Sequence, residues 1–500
     1  MADFVPPPLW PEIGLEPVPS PEDGLMAACR PFVAAPAHNQ ALGFPGELVE
    51  DWETRAVARL GELLAGNRAL RVYLDACVGC GACADKCHFF LGTGDANNMP
   101  VARQNLLRAV YCRHFTPAGR LLGPLAGAGR LDRARLDSWY GYFHQCSQCR
   151  RCSVFCPMGI DTAELSMAAR EIMNSIGLGQ KYCNEIIGKV YAIGNNLGLP
   201  PPALADTLEG LEEDVRDESG HDVRFPLDVR GAEVLLVTPS ADFFAEPHVD
   251  GLIGYAKVFH QAGLSWTLSS YASEAANFGL FIGSVEQMRK IALRIRAAAL
   301  DLGVKRIVFG ECGHAWRVAH AFLEELAGPF DFLDPRYPRP QHIAEITADL
   351  IRTGGIRLDP DANAGMVVTL HDSCNVARAS RMGDEPGGQF TLPREIVRAA
   401  VPRFVEMHPD TTHDRTFCCG GGGGLLTDDL IELRIKGARP RMQALKQVVE
   451  QDGVTHLCAL CAICKSQFTK VLPAYGFDRE MMVSLHQLVG QAIRLGTSSL

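Results

Sequence analysis

Two stretches decide the fold of the first part of the chain: Cys77-Val-Gly-Cys80-Gly-Ala-Cys83-Ala-Asp-Lys-Cys87 and Cys146-Ser-Gln-Cys149-Arg-Arg-Cys152-Ser-Val-Phe-Cys156-Pro157. Both follow the spacing Cys-x2-Cys-x2-Cys-x3-Cys, which is typical of loops that bind [4Fe-4S] cubanes. The first three thiolates of such a run hold one cubane, and the fourth ligates the other. We therefore predict a first cubane on Cys77, Cys80, Cys83 and Cys156. A second cubane is predicted on Cys146, Cys149, Cys152 and Cys87.

Zinc is the alternative metal for these runs, because paired Cys-x2-Cys motifs also bind it. Zinc takes four ligands. A zinc ion bound by either run would have to use a cysteine spacing that suits a cubane. One departure from the pattern is that the first run ends in His88 where the second has Pro157. Proline at this position only shapes the chain after the last ligand, so the ligand pattern is unaffected.

The composition is that of a large protein kept in a reducing compartment. With 500 residues, 47% of them hydrophobic, the chain can bury two or three cores. Its 18 cysteines are mostly grouped at ligand spacing, which favours metal binding over disulfides. The formal net charge of −10 argues against nonspecific nucleic-acid binding. No signal-peptide pattern opens the chain and no segment approaches the ~20 apolar residues that span a bilayer, so a membrane link is expected through a partner.

Changes in composition divide the chain into five segments. Residues 1–50, with a run of three prolines, are interpreted as an extended arm. Residues 51–196 are predicted to form a mostly helical two-cluster ferredoxin-like domain. Residues 197–230 are rich in proline and acidic residues, which predicts a linker. The remaining residues, 231–355 and 356–500, are predicted to form two related modules.

The two modules show short β-branched runs separated by helical patterns, which indicates α/β units with parallel strands. Val234–Ala241 aligns with Val367–Cys374, and Ile307–Cys312 aligns with Val454–Cys458. We therefore predict a duplicated module. The predicted fold class is α+β and α/β: a helical ferredoxin-like domain followed by a duplicated α/β module.

Five cysteines mark the second module as the candidate catalytic site and as a third metal site: Cys374, Cys418, Cys419, Cys458 and Cys461. They fall just past predicted strands, where α/β sheets present ligands. Glycines follow the adjacent pair, and Gly420 and Gly421 are predicted to aim backbone amides at the cluster sulfurs. Five thiolates exceed the needs of one cubane, which favours a more open cluster. The alternative is a regular cubane on Cys458, Cys461 and Cys464, with Cys374, Cys418 or Cys419 as its fourth ligand.

The Cys…Cys-Cys-Gly…Cys-x2-Cys pattern resembles the CCG domains of heterodisulfide reductase catalytic subunits. The combination of this pattern with a preceding two-cluster domain resembles the D-type subunits of that enzyme and the related subunits of the Dsr transmembrane complex. The resemblance covers roughly residues 50 to 490. Glu311–Ala315 and Phe417–Gly424 carry the closer match. The resemblance implies a third [4Fe-4S] cluster, cubane or noncubane, in the second CCG module. It also implies a DsrM-like cytochrome b partner, a DsrC-like substrate protein with redox-active cysteines, and a cytoplasmic location on the inner membrane face through these partners.

The first module departs from that pattern, because Ala241 stands where the second module has Cys374 and no cysteine pair is present. In the alignment only Cys312 matches, opposite Cys458. One catalytic cluster is therefore expected. Cys312 is predicted to line the active cavity or to add a ligand, with His314 as a proton donor. The alternative is a buried apolar thiol beside a structural histidine.

The expected function follows from the electron count, since a disulfide takes two electrons whereas a cubane passes one at a time. We expect electrons to run between a membrane cytochrome, the two cubanes and the CCG cluster, which holds the half-converted sulfur of a disulfide or trisulfide. The alternatives are an electron-transfer subunit of a flavin dehydrogenase, such as glycolate oxidase, and a zinc-binding assembly subunit.

A basic series close to the cysteines is predicted to lie on a helix that begins near Asp428. It comprises Arg434, Lys436, Arg439, Arg441 and Lys446. A solvated helix face is the preferred interpretation, and a surface that steers an acidic partner is the alternative.

Overall fold

The computed structural model describes residues 42–496. Residues 1–41 of the predicted N-terminal arm lie outside this range. No helix within it is long and apolar enough to cross a membrane.

Helices dominate the first part of the described chain, and two of the breaks between them hold the cluster-binding runs. The helices are α1 (Trp52–Gly66), α2 (Arg68–Ala76), α3 (His88–Thr93), α4 (Pro100–Phe115), α5 (Pro117–Leu122), α6 (Arg133–His144), α7 (Arg151–Val154), α8 (Thr162–Ser175), α9 (Lys181–Ile193) and α10 (Pro201–Ser219). Asn67, Asp132 and Asp161 begin α2, α6 and α8 with side-chain caps. Leu107 and Trp139 are fully buried where α4 and α6 pack together.

Helix α10 lies in the segment predicted as a linker. Its apolar residues Leu204, Leu208, Leu211 and Val215 recur at helical spacing and are buried. They pack with Val234 of the first sheet. The acidic residues that suggested a linker occupy the opposite face, so composition alone concealed an amphipathic helix.

Two parallel sheets with flanking helices form the rest of the described chain. The elements around the first sheet are β1 (Val234–Val237), α11 (His248–Gln261), β2 (Trp266–Thr267), α12 (Asn277–Phe281), α13 (Val285–Leu302), β3 (Arg306–Phe309), α14 (Gly313–Ala321), α15 (Leu323–Ala327), β4 (Gln341–His342) and α16 (Ile343–Thr353). Those around the second are β5 (Val367–His371), α17 (Cys374–Ala379), α18 (Gly388–Ala400), β6 (Arg403–Phe404), α19 (Ile431–Asp452), β7 (His456–Ala459), α20 (Ala462–Val471), β8 (Met482–Ser484) and α21 (Leu485–Ala492).

The two sheets have the same topology. Their strand orders are β2-β1-β3-β4 and β6-β5-β7-β8, and every pairing is parallel. The central strands β1 and β5 are nearly continuous buried hydrophobic runs, as expected for parallel strands covered on both faces. The mixed helical and α/β fold is therefore confirmed, and the matching strand orders support the predicted internal repeat.

The two sheet units pack against each other reciprocally. Helix α11, which follows β1, packs on α21, which follows β8; α16, which follows β4, packs on α18, which follows β5. The α11 and α21 backbones meet at Gly254 and Gly490, where a Cβ on Gly254 would collide with the His486 carbonyl. This packing brings the carboxyl ends of the two sheets together at one interface.

Helix α19 corrects the prediction of a solvated basic face. Arg434 and Arg441 are buried. Arg434 Nε donates to Gln467 Oε1 at 2.7 Å, and Arg441 Nη2 donates to Thr416 Oγ1 at 2.6 Å. The helix packs closely on α3 of the ferredoxin-like domain. Arg434 and Arg441 hold loops of the interior instead of facing water, whereas Lys436, Arg439 and Lys446 are half-buried.

Candidate metal centres

The four cysteines predicted for the first cubane line one shared cavity. Cys77, Cys80 and Cys83 come from the loop after α2, and Cys156 comes from the end of the second run. Burial, with smaller effects from the neighbouring Cys156 and Cys77, raises the pKa of Cys83. Cys80 is exposed, so this site reaches the protein surface.

The two cluster loops share the same backbone turns. In the first run Gly79 and Gly81 have φ of 67° and 77°. At the equivalent positions of the second run, Gln148 and Arg150 have φ of 57° and 62°. Side chains rarely adopt this left-handed conformation, and strain of this kind persists where a functional site demands it. The second loop therefore keeps a cluster-binding shape without glycine.

Three of the four cysteines predicted for the second cubane surround Arg103. Its Nη1 donates to Cys87 Sγ at 3.5 Å, and its charge also acts on Cys146 and Cys152. Burial, reinforced by Cys146 and Cys87, raises the pKa of Cys152 to about 12. The buried guanidinium places a positive charge where an anionic cluster would sit.

The fourth cysteine of this set, Cys149, begins a chain of contacting thiols. Cys149 and Cys374 both donate to Cys418, as does Cys419. The contacts continue from Cys419 to Cys464, then to Cys461, and end at Cys312. Arg378 fixes the start of the chain, because its Nε donates to the Cys149 carbonyl at 2.6 Å. The second ferredoxin-type run is thus joined through thiols to Cys312 of the first sheet unit.

Cys458 lies outside this chain, contrary to the prediction, and Cys464 takes its place. Cys458 is in the middle of β7, paired with Leu370 and Val483 on the neighbouring strands. Its pKa is raised mainly by burial, and the charges that act on it are Glu311 and Lys465 rather than other thiols. A thiol inside a central strand cannot reach the site at the end of the strand.

The position of Cys458 inside its strand also changes which cysteine of the second sheet unit corresponds to Cys312. Cys312 precedes α14 with φ of −141° and ψ of 107°, and Cys461 precedes α20 with φ of −151° and ψ of 122°. Both positions follow a central strand of their sheet. Cys312 therefore corresponds to Cys461, and not to Cys458 as the sequence alignment indicated.

Two thiols in the chain are electrostatically favoured as thiolates. Hydrogen bonds from Cys149, Cys374 and Cys419 lower the pKa of Cys418 well below its ordinary value. Hydrogen bonds from Cys312 and Cys464 do the same for the pKa of Cys461. His314 Nδ1 lies 3.9 Å from Cys461 Sγ and adds to that effect.

The glycine run approaches the sulfurs of the adjacent cysteine pair. The Gly420 N–H donates to Cys418 Sγ at 3.4 Å, and the Gly421 N–H donates to Cys419. Gly423 has φ of 68°, and a Cβ there would stand 2.8 Å from the Cys146 carbonyl oxygen. Glycine is therefore required where the run passes against the second cluster loop.

Arg170 and His88 lock this contact, and neither was singled out in the sequence as a site residue. Buried Arg170 donates to the carbonyls of Cys146 and Gly423, at 2.6 and 2.8 Å. His88 Nε2 lies 2.7 Å from Ser147 Oγ. Burial opposes protonation of His88, but the charges of Cys418 and Cys87, with hydrogen bonds to Cys418 and to the Gly437 carbonyl, together outweigh it and raise the His88 pKa. A histidine in place of proline after the first run was the only signal in the sequence.

A cavity of about 340 Å³ opens onto the far end of the thiol chain. Cys312 lines it, together with Ala241, Glu274 and the aromatic rings of Phe278 and Phe281. Ala241 is the residue that replaces a cysteine in the first module. A largely apolar cavity with a few polar groups is typical of ligand sites.

A buried ionic network lies behind the thiols, between the two sheet units. Lys465 Nζ lies 3.2 Å from Glu311 Oε2, and His486 Nδ1 lies 2.7 Å from Glu311 Oε1. Burial alone would raise the pKa of Glu311, but Lys465 and His486 lower it to about 2. The side chains of all three residues are fully buried, so each charge depends on its partner.

The donor set fits an iron-sulfur cluster better than zinc. The contacting thiols from Cys149 to Cys312 outnumber the four ligands that one zinc ion takes. His314 Nε2 and both ring nitrogens of His371 are buried, and the structure gives them no hydrogen-bond partner among the residues it describes. The one N–H group that a neutral imidazole carries could donate to a sulfide of a cluster.

Comparisons with known proteins agree with these centres. Residues 73–160 match the family model of the 4Fe-4S dicluster domain. The Hdr-like menaquinol oxidoreductase iron-sulfur subunit of Archaeoglobus profundus is 40% identical over 479 residues, which cover 90% of this chain and 84% of the relative. Iron-sulfur subunit 2 of the same kind from Archaeoglobus fulgidus is 38% identical over 477 residues, covering 89% and 84%.

A more distant relative is of the kind that the cysteine motifs resemble. The D-type subunit of the dihydromethanophenazine:CoB--CoM heterodisulfide reductase of Methanosarcina barkeri is 24% identical over 434 residues, covering 85% of this chain and 95% of the relative. No solved structure matches the chain significantly. The chain is thus an iron-sulfur oxidoreductase subunit, and it belongs to the family of Hdr-like iron-sulfur subunits.

Proposed function

We propose that this chain is the DsrK-like catalytic subunit of a membrane-bound redox complex, and that it exchanges electrons between a quinol-linked cytochrome b and a protein disulfide or trisulfide. The observation that carries the proposal is the continuous chain of thiols from Cys149 to Cys312 at the cavity wall. This arrangement joins an electron-carrying loop to a space large enough for a substrate sulfur.

The contacts between cysteines support the proposed ligand sets. The two cubanes take the sets predicted from the sequence, and a further [4Fe-4S] cluster takes Cys374, Cys418, Cys419, Cys461 and Cys464. That cluster supplies one-electron steps and a site for substrate sulfur. Gly420 and Gly421 stabilise it through their N–H groups, because thiolate and sulfide anions need donors in a buried site.

The cavity residues position the substrate. Reduction of a disulfide takes two electrons and two protons and yields two thiols, so protons must reach the buried sulfurs. His314, next to Cys461 and buried, is placed to deliver one. Cys312 lies between the cavity and Cys461, where it contacts an incoming sulfur first.

The partners in the proposal come from the relatives and from the motif resemblance. The archaeal relatives are named as subunits of menaquinol oxidoreductases, which supports a quinol as the electron source. A DsrM-like cytochrome b would connect that quinol to the exposed first cluster, and a DsrC-like protein would bring the sulfur substrate. We place the chain on the inner face of the cytoplasmic membrane.

The test compares electron paramagnetic resonance spectra of anaerobically purified protein before and after adding oxidised DsrC-like protein. A new signal, distinct from those of the cubanes, is expected in the unmodified chain. Cys418→Ser and Cys419→Ser should abolish both this signal and disulfide turnover while the cubane signals remain. Cys112→Ser, which changes a buried cysteine of the helical domain, is the matched control.

A second variant tests the cavity. Ala241→Leu narrows the space beside Cys312 and should raise KM for the protein disulfide while leaving cluster content unchanged. Spectra that are indifferent to any disulfide would contradict catalysis here. They would favour the alternative in which this chain passes electrons to a flavoprotein dehydrogenase.

A further inference from the structure

The turn between α4 and α6 displays an apolar patch. Leu121, Leu122 and Leu125 are 85%, 53% and 92% exposed. Single exposed leucines are ordinary on a protein surface, but three within one short turn form a contiguous patch that needs an explanation.

Hydrogen bonds and close packing on α4 fix the conformation of this turn, in which the three leucines are exposed. Thr116 Oγ1 accepts from the Gly119 N–H at 3.1 Å and donates to the Cys112 carbonyl at 2.9 Å. Gly119 packs so closely on α4 that a Cβ would collide with the Cys112 carbonyl. On the return, the Gly129 N–H donates to the Ala109 carbonyl at 2.9 Å. With both ends of the turn fixed to α4, the leucines cannot fold back onto the domain.

Basic residues surround the patch, although the whole chain has a net charge of −10. Residues 113–135 contain one acidic residue, Asp132, and five arginines: Arg113, Arg120, Arg130, Arg133 and Arg135. Two of these arginines lie near carboxylates, Arg133 at 3.0 Å from Asp137 and Arg130 at 4.0 Å from Glu53, and the local balance stays positive. Leucines at a tip with flanking arginines are the pattern of elements that lie in the headgroup region of an anionic bilayer.

The position of the turn relates it to electron entry. Helix α4 begins at the first cluster, where Val101 and Gln104 line the same cavity as Cys77. It ends at the turn, so the patch lies roughly 20 Å along the helix from that cluster, at 1.5 Å per residue. The first cluster site, which reaches the surface at Cys80, and the apolar patch therefore lie at opposite ends of α4.

We propose that the turn of residues 117–127 inserts Leu121, Leu122 and Leu125 into the surface of an anionic lipid bilayer, with the flanking arginines on lipid phosphates. This direct lipid contact goes beyond the proposed redox function and does not depend on it. It would hold the first cluster within roughly 20 Å of the bilayer surface, the length of α4 between them, before any protein partner binds.

Vesicle flotation of the full chain tests the proposal. The protein should float with phosphatidylcholine vesicles that contain phosphatidylglycerol, far less with phosphatidylcholine alone, and less in high salt. Leu121→Ser/Leu122→Ser/Leu125→Ser should reduce the partition coefficient about tenfold or more, since each leucine loses its apolar contribution. Val285→Ser/Leu293→Ser/Leu300→Ser, on exposed positions of α13, is the matched control and should float like the unmodified chain.

A spectroscopic variant covers the case in which the triple variant fails to fold. Leu125→Trp should show fluorescence that brominated lipids quench when the vesicles are anionic. The proposal is overturned if the unmodified chain does not float, if the triple variant floats equally well, or if the new tryptophan is not quenched. It is also overturned in favour of a protein contact if the leucines are needed only for assembly with membrane subunits and not for binding to protein-free vesicles.

Discussion

Cys149 of the second ferredoxin-type run donates a hydrogen bond to Cys418 of the adjacent cysteine pair, although the two residues belong to different domains. This contact joins the predicted second cubane to the thiols of the proposed third cluster. It would give electrons a short path between the two proposed centres. Arg378 and Arg170 hold it through backbone carbonyls on both sides.

Replacing Cys464 should remove the third cluster, whereas replacing Cys458 should not. Cys464 contacts Cys419 and Cys461, while Cys458 lies inside β7. We expect Cys464→Ser to lose the iron and sulfide of one cluster, and Cys458→Ala to keep all of it at a modest cost in stability. Iron and sulfide counts on both variants decide the matter. Full cluster content in Cys464→Ser would restore the ligand set predicted from the sequence.

Alanine at Gly423 should be more damaging than alanine at another glycine with a similar backbone. Gly423 and Gly453 have φ of 68° and 70°, but only Gly423 would bring its Cβ to 2.8 Å from a carbonyl oxygen, that of Cys146. Gly453→Ala should cost about 1 kcal/mol from the backbone alone, and Gly423→Ala about 1–3 kcal/mol more. Thermal unfolding midpoints compare them. Equal midpoints would mean that the contact of the new Cβ with the Cys146 carbonyl does not lower the free energy of unfolding.

Neutralising Arg103 should lower the reduction potential of the second cubane. Its buried guanidinium donates to Cys87 and acts on Cys146 and Cys152, so it stabilises the more negative, reduced cluster. Arg103→Met should shift this potential down by tens of millivolts, and Arg103→Lys should largely preserve it. Redox titration followed by paramagnetic resonance measures both. A shift in the first cubane alone would refute the assignment of Cys87 to the second.

Acid should destabilise the fold through His342. Burial lowers the pKa of His342 to about 3, so below its ordinary pKa of 6.5 the unfolded chain binds a proton that the folded protein does not. Its contribution to stability is therefore complete above pH 6.5 and is lost as the pH falls. His342→Asn keeps the cap on α16 but cannot titrate. Between pH 7.5 and 5.5 the unmodified chain should lose about 1 kcal/mol relative to this variant, as read from unfolding midpoints. A constant difference would exclude His342.

The sequence predicted those parts of the molecule that local chemistry determines. The spacing of Cys77, Cys80 and Cys83 requires a tight loop, and the β-branched runs around Val234 and Val367 predicted the central strands of two parallel sheets. The predicted iron-sulfur oxidoreductase is confirmed by the comparisons. These features need only the neighbours of each residue along the chain.

Other features depended on tertiary contacts that spacing does not encode. Cys458-x2-Cys461 and Cys461-x2-Cys464 are identical patterns, and only the end of β7 at Ala459 decides which pair faces the site. The burial of Arg441 depends on residues 407–416, which lie 25 to 34 positions earlier in the chain and which supply its hydrogen-bond partners; no local pattern indicates these contacts. Contacts of this kind appear only when the chain is folded.

The ion pair between Glu311 and Lys465 means that the second sheet unit should be unstable when it is cut out of the chain. Glu311 belongs to the first sheet unit, which has no cysteine pair, and Lys465 follows Cys464 in the second. A fragment limited to the second unit would keep the cysteine pair but lose the carboxylate that neutralises Lys465, together with Cys312 and the cavity wall. Removing one partner of a buried ion pair typically costs about 3–5 kcal/mol. A shortened version of this protein would therefore have to keep the first sheet unit, although that unit has no cysteine pair.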